Sequence, residues 1–242
     1  MKRLIWLFLG GVLCAGTLPL QAQEIDQRFM AVFVQGKRVG YYRALRKAFP
    51  DSIVTTEFMT FSVDAGEGTI EKLSVDETVE TRDGQLIHFR HETSKGPRYF
   101  RLAGQRDGLM LTVALASDGQ KQENLINWPE GARMVEGRRI LAIENGLKKG
   151  TSYQFLQFFG DNLAVGEVTV SVLGEVEVDI LGEKMILTET LEVIVLEDKK
   201  LEYTVYRDAS ATPMKIIAPT MFMELINCSQ AYAMTPLGGA ED

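Results

Sequence analysis

The sequence predicts a mainly β protein: a large curved antiparallel sheet or half-barrel, or two packed sheets, with one central helix. Three observations carry this. Apolar and polar residues alternate with period 2 along most of the chain, turn residues recur at roughly 8–12-residue spacing, and only one stretch reads convincingly as helix. The 242 residues are 45% hydrophobic and 24% charged, which suits a globular chain with a self-sufficient core. A formal charge of −7 argues against nucleic-acid binding, which needs a surplus of Lys and Arg on one face.

The elements follow in order. Met1-Lys2-Arg3 is a basic start, Leu4 to Ala15 is an apolar run, and Leu18 to Ala22 supplies a break and a small residue at a cleavage site. This three-part pattern predicts a signal peptide over residues 1–22, with the product exported: periplasmic if the source is Gram-negative, otherwise secreted. The apolar run falls short of the roughly 20 residues needed to span a bilayer, so no stable membrane span is expected after cleavage. Cys14 follows the bulky Leu13, which disfavours lipoprotein processing. Its removal leaves Cys228 alone and rules out an internal disulfide framework.

Met30–Val34 and Val39–Tyr42 read as a hairpin turning on Gly36. Strands are expected over 52–63, 70–81, 86–93, 99–102 and 109–115, with Asp83-Gly84 and Asp118-Gly119 as turns. Trp128-Pro129 then breaks the rhythm. Met134–Leu147 is the helical stretch, with Ile140, Ile143 and Leu147 on one face and Gly150 as its stop. This helix is the candidate cover for the concave face of the sheet.

Strands resume over 153–159, 167–180, 184–196, 201–206, 214–217 and 221–226, with Val168-Val170-Val172 and Val176-Val178-Ile180 alternating across Gly174. One β-rich domain over 23–234 and a loose tail over 235–242 are expected, since no linker divides the chain.

Three segments, in order, resemble the β-rich N-terminal region of bacterial transglutaminase-like proteins. They are Phe33 to Tyr41 (FVQGKRVGY), Glu144 to Tyr153 (ENGLKKGTSY), and Thr212 to Lys215 continuing through Met221 to Ser229. The opening is also similar to small exported half-barrel proteins of unknown function and to periplasmic lipoprotein carriers. In the two-domain relatives a Cys-His-Asp catalytic domain follows, and those catalytic residues have no counterpart here. The resemblance therefore implies a free-standing accessory domain and brings no active site with it.

Individual residues point the same way. Cys228 lacks a nearby base in sequence, so a structural role or an intermolecular disulfide is favoured over a nucleophile. His88 and His91, three apart on a strand, face opposite sides, which is wrong for a shared metal. Met221 and Met223 are expected on one strand face, where packing is favoured over Cu(I) binding. Tyr153, Phe155 and Phe159 share a face and form either core under the helix or the wall of an apolar cleft. Glu175, Glu177 and Asp179 read as a solvated outer face.

These readings imply an exported, non-catalytic binding or interaction module without a cofactor. Its occupant is an unknown protein partner or an apolar ligand on a curved sheet, with Tyr153, Phe155, Phe159, Met221 and Met223 as candidate contacts. The alternatives are a hydrolase or acyltransferase using Cys228, and soft-metal handling at the methionine-rich end.

Overall fold

The computed structural model describes residues 24–64, 69–95, 98–117, 120–197 and 199–237. The predicted signal peptide, Cys14, the Asp118-Gly119 turn and the last five residues lie outside them. The fold is mainly β, as the alternation predicts. Fourteen strands form one antiparallel sheet that does not close into a barrel.

The chain enters in the middle of this sheet. β1 (Glu24–Val34), β2 (Lys37–Ala48), β3 (Ser52–Asp64), β4 (Thr69–Thr81), β5 (Leu86–Lys95), β6 (Arg98–Asp107), β7 (Met110–Ser117) and β8 (Gln120–Asn127) meander out to one edge. A crossover carrying α1 (Val135–Asn145) then takes the chain to the opposite edge. From there β9 (Ser152–Phe159), β10 (Ala164–Ile180), β11 (Glu183–Leu196), β12 (Lys199–Arg207), β13 (Pro213–Ala218) and β14 (Met223–Cys228) meander back. β14 pairs with β1 from Phe29↔Cys228 to Val34↔Met223, joining the two halves. A short helix, α2 (Gln230–Met234), follows.

The two sheet edges are treated differently. The crossover lines the edge of β9: the Arg133 N–H donates to the Leu156 carbonyl at 2.8 Å, and the Phe158 N–H donates to the Arg133 carbonyl at 3.0 Å. Pairing of this kind removes unsatisfied backbone groups from an edge. The sheet curls far enough for Phe158 of β9 to pack against Trp128 and against Phe89 of β5, at ring-centroid distances of 5.0 and 5.7 Å. Leu86, Leu102, Leu111, Val113, Ala132 and Met134 complete this cluster. Gly104 is required there, because a Cβ at that position would fall 2.2 Å from the Phe89 ring. β8 keeps its outer edge, and all of its residues but Ile126 are exposed.

Gly174 is a bulge within β10, and the hairpin turn comes later at Leu181-Gly182. The extra residue exchanges the faces of the strand. Val168 and Val170 pack with Tyr153, Phe155 and Ile194. Val178 and Ile180, beyond the bulge, pack instead with Phe33 and Ile226. Those two project from the face of β1 and β14 opposite to that of Met30, Val32 and Leu225. Glu175, Glu177 and Asp179 are exposed, as expected.

Three expectations are corrected. The helix ends at Asn145 with Gly146 (φ +71°) as its cap, four residues before Gly150. Its buried residues are Glu136, Gly137 and Ala142, while Ile143 is 49% exposed. The sheet meets the first turn of the helix with Glu80 and Arg46, so small and charged side chains give the close fit there. Met221 lies in a 3-10 turn (Pro219–Met221) and is exposed; only Met223 is on the strand, packed against the cluster of Met30, Val32, Val39 and Leu225. The Arg38 guanidinium donates to the Tyr232, Thr235 and Pro236 carbonyls just beyond β14.

Candidate functional site: a charged cavity beneath α1

The N-terminal turn of α1 is held by a carboxylate from the sheet. Its N-cap residue, Met134, has no side-chain acceptor for the free N–H groups of the first turn. Glu80 of β4 supplies both oxygens instead, accepting the Glu136 N–H at 2.7 Å and the Gly137 N–H at 3.0 Å. This is capping chemistry delivered from a distance. Burial pushes the Glu80 carboxyl up to about 7, against the lowering effect of these two N–H groups and with a smaller upward push from Glu136.

Two buried carboxylates then tie α1 to both halves of the sheet. Glu136, on the helix, receives Arg46 of β2 in a bidentate pair at 2.8 and 2.9 Å, and Arg139 at 3.1 Å. Glu192, on β11, receives Arg207 of β12 at 2.5 Å and Arg138 of the helix at 3.4 Å. Each carboxylate therefore lies between two guanidiniums. A bidentate fork fixes geometry as well as charge, so α1 has a defined seat across the groove.

Between helix and sheet lies a cavity of about 230 Å³. Period-2 geometry explains which strand residues reach it. Asp26, Arg46 and Thr55 stand opposite one another across β1, β2 and β3, and so do Arg28, Ala44 and Glu57 in the next row; all six line the cavity. Tyr42 donates its hydroxyl to Glu57. Burial first, and then the Glu57 charge, raise this phenol well above its ordinary range, while Arg28 pulls it down. Tyr153, Phe155, Val170 and Ile216 form an apolar part of the wall. Two polar atoms in the lining are buried without a hydrogen-bond partner: Thr55 Oγ1 and Arg28 Nε. Such orphans cost about 1–3 kcal/mol each in a dry interior.

A second recess of about 290 Å³ adjoins the cavity, sharing Glu57, Val135 and Arg138 with it. It contains Phe159 and the pair His91–Asp76, whose Nδ1···Oδ1 distance is 2.6 Å. His91 is buried and His88 exposed, so the two project to opposite faces of β5 as their spacing predicts. The Asp76 hydrogen bond raises the His91 pKa, with burial opposing it.

The cleft residues expected from sequence are thus divided. Tyr153 and Phe155 line the cavity, Phe159 lines the adjoining recess, and Met221 and Met223 line neither. Cys228 is half-buried on β14, five strand positions from β5 with its two histidines, and burial raises its thiol pKa. Among the described residues, no group of three or more His, Cys, Asp or Glu side chains is arranged to hold a metal ion, and no helix is long and apolar enough to cross a membrane.

Comparison of the chain with protein-family models, curated proteins and solved structures finds no match in any of the three.

Proposed function

We propose that this protein is an exported, non-catalytic binding module whose ligand is held between the sheet and α1. The observation that carries this reading is the cavity itself. Apolar side chains, charged groups and orphaned polar atoms converge on a space covered by a helix that ion pairs hold in place. Sites for small ligands combine an apolar lining with a few placed polar groups in this way. About 230 Å³ is below the usual range of roughly 300–1,000 Å³, so a small molecule or one end of a longer one suits it. Tyr153 and Phe155 are the contacts inferred from sequence that this reading retains. Service beside a transglutaminase-like enzyme, as the resemblance implies, is compatible with it.

Native mass spectrometry of protein purified from its own host tests the proposal. A stoichiometric small molecule, retained in the native spectrum and lost on unfolding, is the expected result. A bare polypeptide accompanied by a stoichiometric second protein overturns it. That outcome would favour the other binding reading, in which a partner adds a strand to the unpaired edge of β8 beside the exposed Leu125.

A further inference from the structure

We infer that the ligand is an amphiphile with an anionic head group, a carboxylate or a phosphate, which Arg28 and Arg138 bind at the polar end of the cavity. The inference rests on the binding reading above and names the ligand class for that site.

The argument begins with charge. Five guanidiniums line the cavity, from Arg28, Arg46, Arg138, Arg139 and Arg207, against the carboxylates of Asp26, Glu57, Glu136 and Glu192. The lining thus holds one more cation than anion, within a chain whose formal charge is −7. What decides the sign of the ligand is which of these charges already have partners.

Commitment of each arginine comes next. Arg46 is spent on its bidentate pair with Glu136, and Arg207 is held by Glu192 and the Ala211 carbonyl. Arg139 is half exposed and pairs with Glu136. Among the described residues, Arg138 has one ion-pair contact, a long one to Glu192 at 3.4 Å. Arg28 has no carboxylate within ion-pairing distance among the described residues, and its buried Nε has no partner. The small Ala44 stands between Arg28 and Glu57 in the cross-strand row, and Tyr42, which donates to Glu57, also interacts with Arg28. Thr55, 5% exposed and lining the same wall, adds a hydroxyl with no partner of its own. Two under-used guanidiniums and a free hydroxyl form a donor set for an oxyanion. Tyr153, Phe155, Val170 and Ile216 provide the apolar surface that a hydrocarbon chain requires.

Calorimetric titration of the purified protein with four ten-carbon probes tests this: decanoate, decyl phosphate, decanol and decyltrimethylammonium. One or both anions should bind at least about tenfold more tightly than decanol, a difference of about 1.4 kcal/mol, and the cation more weakly than decanol. Whichever anion leads identifies the head group. Arg28→Met combined with Arg138→Met should abolish the preference, so that the leading anion and decanol bind equally. Arg28→Lys alone should retain most of the preference. Equal binding of anion and decanol by the parent protein overturns the head-group inference and leaves the binding module standing. Binding of none of the four to folded protein, with folding checked by near-UV circular dichroism, overturns both. If the double variant is not folded, decanoate and decanol are compared on Arg28→Met and Arg138→Met singly, where an unchanged preference in both overturns the assignment to these residues.

Discussion

Gly84, in the turn between β4 and β5, lies directly against Gly137 in the first turn of α1. A Cβ at Gly84 would fall 2.5 Å from the Gly137 Cα, and a Cβ at Gly137 would fall 2.9 Å from the Gly84 carbonyl oxygen. Gly84 also has φ +76°, which L side chains rarely adopt. Gly84→Ala should therefore cost about 2–3 kcal/mol, combining an unfavourable backbone region with a backbone clash. Gly137→Ala should also destabilise, although in an open helix the change gains close to 1 kcal/mol. Urea unfolding of both variants measures this, and stabilisation by Gly137→Ala would show that the contact is looser than described.

The Glu80 carboxyl should impose a pH dependence on stability. Its pKa is about 7 in the folded protein, against an ordinary carboxyl value of 4.5. A raised carboxyl pKa gives a contribution fully present below about 4.5 and lost as pH rises through about 7. The shift corresponds to about 3 kcal/mol. Glu80→Gln, which keeps an oxygen for one of the two helix N–H groups, should flatten the stability profile over this window. Thermal melts from pH 4 to 8 for both proteins provide the comparison.

His91 should titrate above its ordinary value because Asp76 stabilises its protonated form. The favourable contribution is present below the unfolded pKa and is lost as pH rises through the folded one. Asp76→Asn should lower the His91 pKa, leaving burial to dominate. The chain has only two histidines, so NMR of the imidazole carbon protons separates His91 from the exposed His88 directly.

The two partners of Glu136 should differ greatly in their effect. Arg46 is largely buried, whereas Arg139 is half exposed. Glu136→Ala strands the Arg46 charge and should cost about 3–5 kcal/mol. Arg139→Ala removes an exposed pairing and should cost less than about 1 kcal/mol. Equal losses in a denaturation series would place the helix under a different control.

Strands were legible wherever one face is apolar, as in Val168-Val170-Val172. β8 (QKQENLIN) escaped notice because an exposed edge strand has no apolar side to alternate. The position of α1 was legible, but its orientation was not. Ile140, Ile143 and Leu147 suggest an apolar seat, whereas the surface it meets carries Glu80 and Arg46, a property of other strands. Tyr153 and Phe155 announced a wall of the cavity through simple alternation. The opposite wall was hidden in β2, where Arg43, Arg46 and Lys47 place charge on both faces, so no pattern distinguishes the inward Arg46. Thr55 gave no signal at all, since threonine is an ordinary strand residue.

The seam between β1 and β14 has a kinetic consequence. Phe29 and Cys228 are paired at a separation of about 200 residues, while nearly every other strand pairs with its immediate successor. Each meander is thus assembled from short-range hairpins, which zip quickly, and their union demands closure of a very long loop. Folding should show a fast phase for the separate wings and a slow one for their merger, with β14 acting as the latch.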